Sequence, residues 1–163
     1  VEKYIPPSKN KNSILRLIRE ILFLKPKNKL TDINNALDFA IETMTRRGVI
    51  FILSDFFGDI DFKKVFIAKK KHDIIPVVIE DDFEETAINA GLVDMVDNET
   101  GELILVDTGS DYYKKSIEKR KRLKNDFLEE LKKLNIEPLF INTKEEIERP
   151  IVQYFEKRKR KIR

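Results

Sequence analysis

The sequence has no cysteine. That excludes disulfides, thiolate zinc sites and a cysteine nucleophile together. Its single histidine, His72, rules out any site that needs two imidazoles, and no nucleophile-elbow glycine pattern accompanies it. His72 follows a lysine run and precedes an apolar stretch, where a solvated loop position is expected. The five glycines are scattered, so no glycine-rich phosphate loop can form and a nucleotide-binding enzyme is poorly supported. No apolar run approaches the roughly 20 residues of a membrane-spanning helix, and no signal peptide is visible. A cytoplasmic protein is the expectation, with membrane anchoring of a full-length protein left open.

A large excess of one charge is also lacking. The formal net charge of +3 is too small to imply a nucleic-acid partner by itself. Its distribution is uneven, however, with basic clusters at residues 119–124 and 157–163. What is present suits a globular protein: 163 residues, 41% hydrophobic and 37% charged. One domain of this length buries roughly 70% of its unfolded surface. The chain opens at Val1, not at Met, in what reads as the middle of a strand. The expectation is a piece cut from a longer protein.

Periodicity gives the elements. VEKYIPP reads as a strand end or extended entry that stops at two prolines. Ile14, Leu17, Ile18, Ile21 and Leu22 lie at helical spacing, with Asn12 or Ser13 as N-cap and Pro26 as the stop. A second helix opens at Thr31 or Asp32 and carries the stripe Ile33, Ala36, Leu37, Ala40, Ile41 and Met44. VIFIL follows Gly48, and its unbroken apolarity suits a strand covered on both faces. Residues 62–71 form a short amphipathic helix. DIIPVVIE is the next strand, although Pro76 removes a ladder donor and would place it at a sheet edge. Two short strands flank DNETG as a hairpin with Gly101 in its turn. A long helix over residues 110–135, the strand EPLFINT and a closing helix from about Thr143, with Glu145 and Glu146 in its first turn, complete the pattern. The basic tail over 157–163 is expected to fray. Three alternations of strand and helix predict an α/β fold: a mostly parallel, three-layer, Rossmann-like sheet with helices on both faces and a hairpin insertion.

In such a sheet ligands sit at the carboxyl ends of the strands. Ser54 and Asp55, then Glu80, Asp81 and Asp82, then Asn142 and Thr143 all fall there. Oxygen donors of this kind suit a hard cation such as Mg²⁺. They equally suit N-caps and turns, which account for Thr31 and Asp32 without a metal. Tyr112 and Tyr113 read as a pair half-buried at a helix entry, with base stacking as the alternative. The basic run at 119–124 is mainly a solvated helix face, and the best candidate for an anionic partner.

The stretches RRGVIFILSDFFGD, KKHDIIPVVIED and AGLVDMVDNETGELILVDTGS resemble one known family. It comprises the von Willebrand factor A-like proteins of domain-of-unknown-function family fifty-eight, found in bacteria and archaea and often encoded beside MoxR-type AAA+ ATPases. The last stretch is the most specific, and the likeness extends over essentially the whole chain. The resemblance implies a von Willebrand A fold with a metal-ion-dependent adhesion site. Such a site combines a D-x-S-x-S loop, a Thr from a later loop and an Asp at the end of a following strand. Thr31 would be that Thr and Asp55 that Asp, with Ser54 and Asp32 behind them; Phe56 and Phe57 read as rim or core residues of the loop beside that site and are the candidates for contact with a partner. No D-x-S-x-S occurs in the sequence; its place in the family pattern is upstream of Val1, together with the first strand, a helix and another strand.

The resemblance therefore implies a non-enzymatic protein–protein interaction domain. Mg²⁺ would bind in the intact protein and weakly or not at all here, and a MoxR-type ATPase is the implied partner. No small-molecule substrate is expected. An uncovered sheet edge would favour self-association. The competing expectation is a nucleic-acid-associated protein or metal-dependent nuclease, in which Asp55 with Asp81 or Asp82 supplies converging acids beside the basic helix.

Overall fold

The computed structural model describes residues 1–25, 31–81, 90–96 and 103–161. In chain order the elements are α1 (Lys11–Phe23), α2 (Ile33–Thr43), β1 (Val49–Ser54), α3 (Phe62–Lys71), β2 (Asp73–Glu80), β3 (Leu92–Val96), β4 (Leu103–Asp107), α4 (Asp111–Lys133), β5 (Leu139–Asn142) and α5 (Glu148–Lys161). β1, β2 and β5 form a parallel sheet in the order β1-β2-β5, and β3 pairs antiparallel with β4. The α/β expectation holds. Pro26, the DNETG turn and Asp82 lie outside the described residues.

Alternation along β2 divides the core, because successive side chains point to opposite faces. Ile74 and Val78 pack with Ile33 and Leu37 of α2, Val65 and Ala68 of α3, and Phe127 and Leu131 of α4. Ile75 and Val77 pack on the other face with Leu139 and with Tyr154 of α5. Helices thus cover both faces of the central strand.

Pro76 does not put its strand at an edge: β2 is the middle strand, and Pro76 is fully buried. The register explains why. The Asp73 N–H donates to the Gly48 carbonyl at 2.9 Å, so alternate residues from Asp73 turn their backbone to β1. Ile74, Pro76 and Val78 therefore turn theirs to β5. β5 pairing begins only at Val77 opposite Leu139. Extending that register by one step, the carbonyl awaiting an N–H from position 76 belongs to Glu137. The Tyr154 hydroxyl donates to it instead, at 2.8 Å. Burial pushes the Tyr154 hydroxyl above its ordinary pKa, which keeps it a donor.

His72 is the second correction. It is 2% exposed, not solvated, and ends α3 with its N–H on the Ala68 carbonyl at 2.8 Å. Neither ring nitrogen has a hydrogen-bond partner among the described residues. The lysines before it point outward, but the chain must turn inward at 72 to enter the buried strand.

Helix ends differ from expectation in ways that local chemistry explains. Asn10, not Asn12 or Ser13, caps α1, its side chain accepting from the Asn12 N–H. Residues 1–10 form no strand. α4 closes with Asn135 at φ 50°. The Asn135 N–H bonds the Lys132 carbonyl and the Ile136 N–H bonds the Leu131 carbonyl, each at 2.9 Å. This is a Schellman ending with asparagine in the usual glycine place. Lys69 of α3 adds its ammonium to the Leu134 carbonyl. The closing helix begins at Glu148, so Glu145 and Glu146 precede it. It stays helical to Lys161 where fraying was expected, held by Arg158 on both Asp73 oxygens (2.7 and 2.8 Å) and by Lys157 on Glu137.

Two apolar surfaces remain open. β1 is an edge strand covered on one face only: Ile50 and Ile52 meet the core, whereas Val49, Phe51 and Leu53 are 49%, 48% and 65% exposed. On that outer face Phe155 of α5 reaches Phe51, ring centroids 6.3 Å apart. α1 has the expected apolar stripe, but none of its residues is buried.

The imidazole, unpartnered among the described residues, gives a stability prediction. A buried polar group without a partner costs about 1–3 kcal/mol, and an apolar replacement of similar shape removes that cost. His72→Leu should therefore leave the urea midpoint unchanged or raise it, whereas His72→Ala should lower it by opening a cavity. A clear fall for His72→Leu would show that the ring nitrogens are bonded in solution.

Candidate functional site

The carboxyl ends of the parallel strands gather most of the polar residues singled out from sequence. β1 stops at Ser54, opposite Val78, while β2 continues to Glu80, opposite Asn142. Because β1 ends earlier, Asp55 leaves the sheet beside the last turn of β2. It lines a narrow groove with Phe57, Val78, Glu80, Asp81 and Lys124. The free space there is about 10 Å³, enough for roughly one water.

The turn at Asp55 is built from its own side chains. The Ser54 hydroxyl donates to Asp55 Oδ1 at 3.3 Å and accepts from the Phe56 N–H at 3.0 Å. Asp55 Oδ1 also accepts from the Phe57 N–H at 3.4 Å. Asp55 itself is exposed. Phe56 sits at φ 58°, a left-handed conformation that is unfavourable for a bulky residue. Such strain costs on the order of 1–3 kcal/mol. Burial offsets it: Phe56 is 6% exposed and stacks on Phe127 at 4.6 Å with 20° between the rings. Of the two phenylalanines expected at the rim or in the core, Phe56 is therefore a core residue and not a partner contact. Phe57 is half-buried at the rim, with the Arg120 guanidinium 4.7 Å from its ring centre.

The N-terminus of α2 meets the same loop through Asn34, whose amide donates to the Asp59 carbonyl at 3.0 Å and accepts from the Asp61 N–H at 2.8 Å. Asp61 in turn caps α3, accepting from the Lys63 N–H. Thr31 and Asp32 are exposed at this end of α2, and Asp32 caps it by accepting from the Asn35 N–H at 2.9 Å. Asn34 was not among the sequence candidates. An asparagine just inside a helix reads as part of the capping region, and its 25-residue reach to Asp59 leaves no trace in spacing.

The other acids at this edge are neutralised individually. Lys124 of α4 pairs with Glu80 at 2.5 Å. Asp81 accepts from the Thr143 hydroxyl at 3.3 Å and lies 3.6 Å from Lys144. Among the described residues no three His, Asp or Glu side chains group as a metal site. Ser54 and Asp55 are hard oxygen donors of the right kind for Mg²⁺, but too few to hold it alone. The basic run on α4 is partly turned onto this site, through Arg120 and Lys124. Of the tyrosine pair, Tyr113 is buried and Tyr112 is 84% exposed.

A family model described as "Protein of unknown function DUF58" matches residues 1–126. The chain belongs to this family. The DUF58 match spans the Ser54–Asp55 turn, the hairpin and most of α4, and stops just before Phe127. No curated protein and no solved structure matches the chain. Among the described residues no helix is long and apolar enough to cross a membrane.

The strained turn makes a sharp prediction. Glycine adopts positive φ without penalty, whereas alanine does not. Phe56→Ala should lose about 3–5 kcal/mol with the ring, and Phe56→Gly about 1 kcal/mol less. Urea unfolding of both variants tests this; alanine proving the milder replacement would mean that Phe56 is not left-handed in solution.

Proposed function

We propose that this DUF58 chain is a non-enzymatic protein–protein interaction domain whose docking point is the carboxyl end of β1. The observation that carries this reading is the Ser54–Asp55 turn. An exposed carboxylate is held at a strand end by a serine hydroxyl and a strained backbone. Rigid placement of an exposed acid suits recognition of a macromolecule. Phe57 with Arg120 supplies an amphipathic rim of the kind enriched at interfaces.

Mg²⁺ is the cation proposed for the completed site. The further oxygen ligands would come from a D-x-S-x-S loop, which these 163 residues do not contain. A cation bound there would join Asp55 to an acidic side chain of the partner. Asn34 supports the arrangement by fixing the α2 N-terminus, with Thr31 exposed on it, against the loop that follows Asp55. The family resemblance makes a MoxR-type AAA+ ATPase the partner to test first. Among the described residues Glu80 and Asp81 are each paired with other side chains, which favours the interaction reading over two-metal phosphoryl chemistry.

The test uses a parent protein that carries the D-x-S-x-S loop. A ligand at a hundred times its Kd stabilises the folded state by about 2.7 kcal/mol. Saturating Mg²⁺ should raise the Tm of that parent by several degrees, and Asp55→Ala should abolish the rise. An unchanged Tm in the parent with Mg²⁺ would remove the metal from the proposal.

A further inference from the structure

The net charge of +3 conceals a sharp division along the chain. From Asp73 to Tyr113 there is no lysine or arginine, and from Lys114 to Lys124 there are seven against the single acid Glu118. All seven lie in α4, whose buried residues decide where each one points. Tyr113, Ile117, Phe127 and Leu131 mark the side of the helix that meets the core. At 3.6 residues per turn Arg120 and Lys124 fall on that side. There Arg120 covers the Phe57 ring and Lys124 pairs with Glu80. Lys115, Lys119 and Arg122 fall opposite, with Lys114 and Lys121 on the flank, and all five are exposed.

The two halves of α4 handle charge differently. Towards its C-terminus Lys132 lies 3.9 Å from Glu129 and Lys133 2.6 Å from Glu130. Of the five outward cations only Arg122 has such a neighbour, Glu118 at 4.0 Å. Among the described residues Lys114, Lys115, Lys119 and Lys121 make no ion pair. Lys115 and Lys119 stand four apart, and Lys119 and Arg122 three apart. Like charges at these spacings destabilise a helix, and an anion bound across them removes that cost.

We propose that the outward face of α4 from Lys114 to Arg122 binds a short acidic segment of a protein partner. The face is about 12 Å long at 1.5 Å per residue. Exposed carboxylates bound it, Asp111 before it and Asp126 and Glu129 beyond. A nucleic-acid backbone or an anionic membrane would run past this patch onto those acids; a segment of a few residues does not. Tyr112 and Leu123, 84% and 43% exposed, lie along one flank and give apolar side chains between the acids a footing. Through Lys124 the same helix lines the groove at Asp55, so the segment would lie beside the proposed docking point. The inference rests on the protein-interaction reading and adds the chemistry of the partner, without needing the metal.

The test is fluorescence anisotropy of the 163-residue chain in EDTA with a labelled peptide built of two glutamates and a leucine in repeat. EDTA removes the cation, so this measurement and the Mg²⁺ melting test can fail separately. Binding should be saturable and should fall several-fold as salt rises from about 50 to about 200 mM. Lys115→Glu with Lys119→Glu should weaken it by about tenfold or more. Lys71→Glu with Lys159→Glu makes the same change of net charge on α3 and α5 and should leave it unchanged. Absence of binding, equal binding of a peptide with glutamine for glutamate, or equal losses in the two double variants would overturn the proposal. Tighter binding of a DNA duplex or of phosphatidylserine vesicles would overturn it in favour of that polyanion. A mass rising by light scattering from 19.2 kDa toward twice that value, and constant in Lys115→Glu with Lys119→Glu, would assign the face to a second copy instead.

Discussion

Burial of β2 on both faces is the constraint from which the rest of the structure follows. A strand with helices above and below must be apolar at consecutive positions and must have its backbone groups bonded sideways. Ile74 to Val78 meet the first demand. The second is met by β1 on one side and by β5 on the other, but β5 starts late, at Leu139. That delay is what admits a proline to the centre of a sheet. The Glu137 carbonyl freed by Pro76 is then bonded by Tyr154, which draws α5 onto the second face. Arg158, one turn further along α5, grips Asp73 at the start of the same strand. A single imino acid thus bears on where the last strand begins and how the last helix docks.

The same strand also positions the candidate site. β1 is aligned on β2 by its register and ends before it, so Asp55 emerges beside Glu80 and Asp81, not beyond them. Each acid then meets a different fate. Glu80 and Asp81 fall within reach of Lys124, Thr143 and Lys144, brought there by α4 and by the end of β5. Asp55 has the Ser54 hydroxyl and the Phe57 N–H, both from its own turn. The turn holds its shape because Phe56 is anchored on Phe127, across the core from β1.

Much of this was legible in the sequence, and the failures have physical causes. Element types could be read because periodicity reports which side of a segment is buried, and the strand-end polar residues were found because the parallel fold fixes where strands end. Burial itself was harder. VIFIL reads as a strand covered twice, because apolarity shows suitability for burial and not whether anything covers it. The stripe of α1 misleads for the same reason. His72 and Pro76 fail in the opposite sense. Each belongs to a type usually found outside or at an edge, and each is buried because its neighbours in the chain leave it no other place. The Asn34 contacts and the Phe56–Phe127 stack are long-range, and no local pattern encodes them.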